Sequence, residues 1–378
     1  MKNRRVLITG MGGELGSLVA ALAENTEWAG DILGIDVDPP RRLLKRSRFV
    51  RVDPTEHDRI AELIQEFNPH VLLHVGVWEP HARLATPEAE TCTALVAKAV
   101  FDAAHQCESL ETVVVRSGTE MYGAGAYSPD IAVESTPTAP NTTYGYMCRN
   151  IELQASELRS ASGINVCTLR LAPVLGAHVP SPLGRLLRLP VIPYYGIGNP
   201  IFSVVEDFDA ATAFIQAAER DADGVVNIVA NGAISMLRAT SIGRRVPVPS
   251  FGPGWWMAKN VSSFAGAPMP DHVADLIQHG RLAASNEAAH LLRFAPRHST
   301  TEVVRNLYLW PSIERIPARK QVAYHAIRSC SRRNTYSLRS NRHYKKSTGF
   351  IGARAWWREE LLEPSACSAC IAPSHSCV

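Results

Sequence analysis

Residues 10–16 read Gly-Met-Gly-Gly-Glu-Leu-Gly and follow directly on the apolar run Val6-Leu7-Ile8-Thr9. A glycine-rich turn between a buried strand and a helix is a cradle for phosphate. Gly10 allows the tight turn, Gly13 lets backbone approach a pyrophosphate, Gly16 seats helix on strand, and the helix opening at Glu14-Leu15 adds partial positive charge at its N-terminus. Twenty residues past Gly16, the run Ile32-Leu33-Gly34-Ile35 ends in Asp36, a carboxylate placed to hydrogen-bond an adenosine ribose. Strand, glycines, helix and a correctly spaced acid together predict a bound dinucleotide.

Positioning these residues needs a particular kind of sheet. Apolar runs near Val6, Ile32, Phe49, Val71, Val113 and Val166 alternate with helical patterns near Leu18, Ile60, Val96 and Ile151. That alternation predicts an α/β fold of Rossmann type, a doubly wound parallel sheet occupying residues 1–175. From residue 176 to about 310 the pattern loosens into a smaller lobe expected to bind substrate, with some returns to the sheet domain. It contains a Pro-, Gly- and Leu-rich stretch from Val179 to Pro200, a helix at Asp209–Arg220, a strand at Val225–Val229 and loops around Pro247–Met257.

With 378 residues, 46% of them hydrophobic and 20% charged, the composition is that of an ordinary water-soluble protein. No apolar stretch reaches membrane-spanning length, and a membrane is not expected among the partners. The first strand begins right after Met1-Lys2-Asn3-Arg4-Arg5, which leaves no room for a signal peptide, so a cytoplasmic location is expected. The eight cysteines read as free thiols in a reducing compartment, with Cys92, Cys107, Cys148 and Cys167 in segments of regular structure.

Residues 325–378 hold nine Lys or Arg and three Glu, a charge of +6, leaving −3 for residues 1–324. The body is therefore not marked as a nucleic-acid binder by charge. Residues 311–378 read as a poorly ordered, basic, cysteine-containing tail. Cys367 and Cys370, with His375 and Cys377, form one CxxC without a second well-spaced pair, and no metal is expected.

Seven segments, in order, resemble the extended short-chain dehydrogenase/reductases, the group containing NAD-dependent epimerases and dehydratases such as UDP-glucose 4-epimerase. Thr9 to Gly16 matches TGxxGxxG. Asp53 stands where the family reads adenine, and His74-Val75-Gly76-Val77 where it carries a small-residue run beside the cofactor. Arg116 to Gly123 resembles S-[ST]-x-x-x-Y-G, and Tyr144-Gly145 opens the Y-x-x-x-K segment. Leu169 to Gly176 resembles LR-x-x-N-x-x-G, and Val205-Glu206-Asp207 the V-x-D element. The resemblance implies NAD as cofactor, held by Gly10, Gly13, Glu14, Leu15, Gly16, Asp36, Asp53, Val75, Gly76 and Tyr144. Asp36 favours NAD over NADP, because a carboxylate repels a 2′-phosphate. Arg41 and Arg42 could offset that, or form a solvated basic turn. Glu14, unusual beside a pyrophosphate, is expected to face solvent. The family often dimerises through two helices of the sheet domain, here near Val96 and Ile151.

The same resemblance implies Tyr144 as catalytic acid/base on a nucleotide-linked sugar, by transient hydride transfer. A lysine four residues later would share its helix face and lower its pKa. Cys148 stands there and cannot do that electrostatic work. Arg149 lies about 100° further round a helix and is expected at the surface. Gly118 occupies the position of the orienting serine, with Ser117 and Thr119 flanking it. Pro173 and Pro200 replace a substrate-contacting asparagine and a diphosphate-binding arginine, for which Arg185, Arg188, Arg244 and Arg245 are candidate substitutes. His70, His74 and His81 are possible bases but are expected to be structural. Three readings stay open: an enzyme of the epimerase/dehydratase type, a dinucleotide-binding protein that is catalytically silent or repurposed as a cofactor sensor or interaction module, and RNA or DNA binding through the basic tail, which rests on composition alone and which solvated disorder explains as well.

Overall fold

The computed structural model describes residues 3–80, 84–124, 130–196 and 198–309. His81 and the tail from 311 onward, with its CxxC, lie outside them.

The first half alternates, except that β3 follows β2 with no helix between them: β1 (Arg4–Thr9), α1 (Glu14–Ala23), β2 (Ala29–Asp36), β3 (Arg48–Arg51), α2 (His57–Phe67), β4 (Val71–His74), α3 (Thr86–Ala104), β5 (Thr112–Gly118), α4 (Thr143–Ser162) and β6 (Asn165–Leu171). The second half holds shorter elements: β7 (Val174–Leu175), α5 (Pro182–Arg188), β8 (Val191–Tyr195), β9 (Ile201–Phe202), β10 (Val205–Glu206), α6 (Asp207–Glu219), β11 (Gly224–Ile228), β12 (Ile234–Ser235), α7 (Met236–Ile242), β13 (Val246–Ser250), α8 (Pro253–Phe264), α9 (Asp271–His279) and α10 (Thr300–Leu307).

Seven strands form one parallel sheet in the order β11-β6-β5-β4-β1-β2-β3. Because both faces of a doubly wound sheet are covered, successive residues of a strand feed opposite cores. Val6 and Ile8 enter the layer with α1 and α6, while Leu7 enters the layer with α2, α3 and α4. A third apolar cluster, around Phe202, Trp255 and Leu276, fills the lobe. Residues 205–228 leave that lobe and return to the sheet, with α6 packed on α1 and β11 beside β6.

Strand order reverses between β1 and β4, so the connections leaving their C-terminal ends diverge and open a crevice. The glycine loop follows β1, and Val75-Gly76 follows β4 at the same end. Helix α4 is capped by Thr142, whose hydroxyl accepts from Gly145 N, and it ends at Gly163 in the left-handed region. These caps fix the register that brings Tyr144 and Cys148 to the inner face, both buried, while Arg149 is exposed.

One expectation fails in the lobe. The Pro247–Met257 stretch is not a loop but β13, paired in parallel with β8, followed by α8. A two-stranded ribbon leaves one edge of β13 free, so Pro247 and Pro249 cost it few ladder bonds.

Candidate active site

Gly10 has φ +76°, and a Cβ there would lie 2.5 Å from Gly76 Cα, so loop and crevice floor meet backbone to backbone. A Cβ on Gly16 would overlap the Gly10 carbonyl. Gly13 precedes α1 without a side-chain cap, which leaves the first-turn N–H groups of the helix available to an anion. The Asp36 carboxylate accepts from Gly12 N at 2.8 Å and from Val37 N at 2.6 Å. Burial raises its pKa and those backbone donors oppose the rise. Val75 and Gly76 lie at the same crevice, Leu15 is buried under the loop, and the residues present fit a dinucleotide.

Three placements differ from expectation or add to it. Glu14 does not face solvent: it is 8% exposed and ion-paired with Arg42 at 2.6 Å, which neutralises a carboxylate that would otherwise repel a pyrophosphate. Arg42 is therefore no freely solvated charge, and Arg41 donates through Nε to Gly12 O. Asp53 is exposed, its carboxylate held by Thr55 N and Oγ1 at 2.9 and 2.7 Å. Those bonds hold its pKa below the usual carboxylate value.

Of the histidines near β4, His74 and His70 are tied to neighbouring strands, and His81 lies outside the described residues. His74 is fully buried, its Nδ1 is 2.8 Å from Thr9 Oγ1, and burial with the nearby Arg116 charge lowers its pKa to about 4. His70 Nδ1 accepts from Arg5 N at 3.0 Å.

At the other end of the crevice, Tyr144 lines a small cavity with Arg116, Ser117, Gly118, Glu120, Pro173 and His272, among others. Its volume is about 20 Å³, room for about one water. Burial drives the Tyr144 pKa well up, and the Arg116 guanidinium is the group that opposes this. Arg116 Nη2 is 3.4 Å from Tyr144 Oη and 4.0 Å from Glu79 Oε2. On the far side the His272 ring stacks on Tyr144, with centroids 4.8 Å apart. Burial alone would discharge His272, but hydrogen bonds to Asp271 and Glu79 outweigh it and bring its pKa up to about 9. Two cations thus flank the phenol that Cys148 cannot serve, since burial pushes the Cys148 thiol up and keeps it neutral.

The vacant serine position has a physical cause. A Cβ on Gly118 would run into the Glu120 carboxylate, so the space of a serine side chain is filled from two residues further on. Glu120 Oε1 pairs with Arg281 Nη1 at 3.0 Å, and Arg281 Nη2 pairs with Asp275 at 2.9 Å. Ser117 Oγ instead donates to Glu152 at 2.5 Å, and Glu152 is clamped by Arg170. Thr119 is buried outside the cavity lining.

Beyond the Glu120–Arg281 pair opens a cavity of about 510 Å³, lined by Tyr122, Asp130, Asn199, Pro200, His279 and Arg281, among others. The cation beside Pro200 is therefore Arg281, and none of Arg185, Arg188, Arg244 and Arg245 lines this space. Sequence reasoning missed Arg116, Glu120, His272 and Arg281 as a group. Arg116 and Glu120 lie within the motif that contains Gly118 and carried a signal. His272 and Arg281 carried none, being brought in by the lobe.

Among the described residues no His, Cys, Asp and Glu cluster could hold a metal ion, no helix is long and apolar enough to cross a membrane, and Cys92, Cys107, Cys148 and Cys167 are free thiols.

An uncharacterized protein of Mycobacterium tuberculosis is 23% identical over 312 residues, covering 79% of this chain and 81% of its own length. The structure of MoeE5 in complex with UDP-glucuronic acid and NAD superposes with TM-score 0.64 at 21% identity, covering 81% of this chain and 98% of MoeE5. UDP-glucuronic acid 4-epimerase from Bacillus cereus, in complex with NAD, gives 0.63 at 17% identity, covering 81% and 98%. These likenesses concern the fold. The family model for NAD dependent epimerase/dehydratase matches residues 6–231, the stretch holding the glycine loop, Asp36, Tyr144 and the return to the sheet. This chain belongs to the NAD-dependent epimerase/dehydratase family.

Proposed function

We propose that the protein is an NAD-dependent epimerase or dehydratase of a nucleotide-linked sugar, in which Arg116 does the electrostatic work of the absent lysine. The observation that carries this reading is the Arg116 guanidinium 3.4 Å from Tyr144 Oη, inside the cavity at the C-terminal end of β5. NAD supplies a hydride acceptor and donor. Residues 10–16 and Asp36 hold it, with Val75 and Gly76 beneath.

Tyr144 Oη accepts the proton of a sugar hydroxyl as the carbon bearing it is oxidised, and returns a proton when that carbon is reduced. An unassisted phenol near pKa ~10 is about one part in a thousand ionised at neutral pH, and burial makes this worse. The guanidinium at hydrogen-bond distance is the charge that opposes the rise due to burial, through a low-dielectric medium. Glu120, in the serine's space, accepts a hydrogen bond from the substrate and so orients it. The 510 Å³ cavity is of the size that takes small molecules, about 300–1,000 Å³.

A second reading, NAD binding without turnover, draws on the 20 Å³ cavity around Tyr144, which a sugar ring enters only if His272 or Arg116 yields. One experiment separates the two: incubation with NAD and UDP-glucose or UDP-glucuronic acid, product analysis, and a thermal-shift titration of NAD. Conversion lost in Tyr144→Phe supports the enzyme. NAD binding with no conversion, unchanged by Tyr144→Phe, overturns it.

A further inference from the structure

Helix α8 is built inside out. Its buried residues are Trp255 and Ser262, while Trp256, Met257, Val261 and Phe264 face solvent, with Phe264 95% exposed. At 100° per residue those four fall within an arc of about 140°, one continuous apolar stripe. The stripe does not stand alone. Helix α8 packs on β8 and β13, which add exposed Val191, Val246 and Val248 on adjoining rungs, and Phe251 joins strand to helix. Scattered exposed apolar residues need no explanation, but a connected set of this kind does.

Charge identifies the occupant. Residues 176–205 and 224–270, which supply α5, β8, α7, β13 and α8, contain no Asp or Glu and six Lys or Arg. Arg238 and Arg244 are exposed, and Arg185 and Lys259 half-exposed. The next carboxylates along the chain turn inward, Asp271 onto Thr143 N and Asp275 onto Arg281. A second copy of this face would bring like charges together, and residues 325–378 of this chain carry +6, so neither complements it. A stripe with Trp and Phe exposed, on segments whose only charged residues are Lys and Arg, matches the interface of an anionic bilayer, where aromatic rings sit at headgroup depth and phosphates meet Lys and Arg.

We propose that α8 and the β8–β13 ribbon dock this protein on an anionic lipid surface. The contact is peripheral and needs no spanning segment, so it departs from the expectation that apolar run length alone gave. It places the lobe against lipid without using any residue of the Tyr144 cavity, and it stands independently of the proposed reaction.

The test is sedimentation of the full chain with phosphatidylcholine vesicles, with and without phosphatidylglycerol. The account predicts binding only to the anionic vesicles, weakened by salt and reduced about tenfold or more in Trp256→Ser/Phe264→Ser. Arg244→Glu is expected to weaken binding by a smaller factor. The melting temperature and NAD affinity of each variant stay those of the parent, since the altered side chains are exposed. Absence of vesicle binding overturns the proposal, as does binding unchanged by the double substitution, which would assign it to the basic tail. A monomer–dimer equilibrium abolished by the same substitutions would assign the face to a second copy and also overturn it.

Discussion

Around the glycine loop the crevice is made by backbone, and around Tyr144 it is made by charged side chains. In the first region Gly10 meets Gly76 directly, Asp36 is tied to Gly12 N, and His74 is buried and neutral. In the second, Arg116, Glu120, His272 and Arg281 gather where the family motif has one serine and one lysine, and His272 is buried and charged. At Gly10, Gly12 and Gly16 that backbone leaves no room for a Cβ. A set of charges can be redistributed among positions while the field at the phenol is kept.

The strongest blow to the first region is Gly16→Ala, whose Cβ overlaps the Gly10 carbonyl. It is expected to cost about 3 kcal/mol or more of stability, and NAD binding with it, checked by thermal melts and titration calorimetry. A melt unchanged by this substitution would break the contrast at its rigid end.

The two histidines give opposite pH dependences. His272 has its pKa raised from 6.5 to about 9, so its stabilising contribution is full below the unfolded value and is lost as pH rises through about 9. His74 has its pKa lowered from 6.5 to about 4, so its contribution is full above the unfolded value and is lost as pH falls through about 4. Each amounts to about 3 kcal/mol, read from melting temperature against pH. His272→Gln should flatten the alkaline limb and leave the acid limb alone.

Asp36→Ala is expected to lower NAD affinity about 10- to 100-fold, since it removes a charged hydrogen-bond acceptor. The rate-determining chemistry at saturating NAD should not change, which a kcat measurement at high cofactor would show. The smallest effect falls on Gly118→Ser. Its side chain collides with Glu120 and costs about 1–3 kcal/mol without raising activity. A stable, more active single variant would mean that Glu120 is not fixed in the serine's space.

The sheet was legible because each of its strands carries an apolar run and each helix an amphipathic pattern, and the glycine loop is a local motif whose geometry follows from its own residues. The losses at Gly118 and Cys148 were equally plain. The charged groups around them were not, because they come from separate segments: Arg116 and Glu120 adjoin the motif, but His272 and Arg281 come from α9 and the segment after it, which approach only when the lobe packs on α4. Glu14 misled for the same reason, its partner Arg42 being 28 residues away. The Pro247–Met257 stretch misled through propensity, since prolines that break a central strand are admitted at the edge of a ribbon.

The central claim is that Arg116 has taken over the lysine's charge, and it is tested most directly by following nicotinamide absorbance on rapid mixing of the NAD-loaded protein with UDP-glucose or UDP-glucuronic acid. The account predicts that Arg116→Ala slows reduction of the nicotinamide about 100-fold or more, with NAD affinity held within about threefold and part of the rate recovered in Arg116→Lys. Equal rates in the parent and Arg116→Ala, or no reduced nicotinamide from the parent, would contradict it.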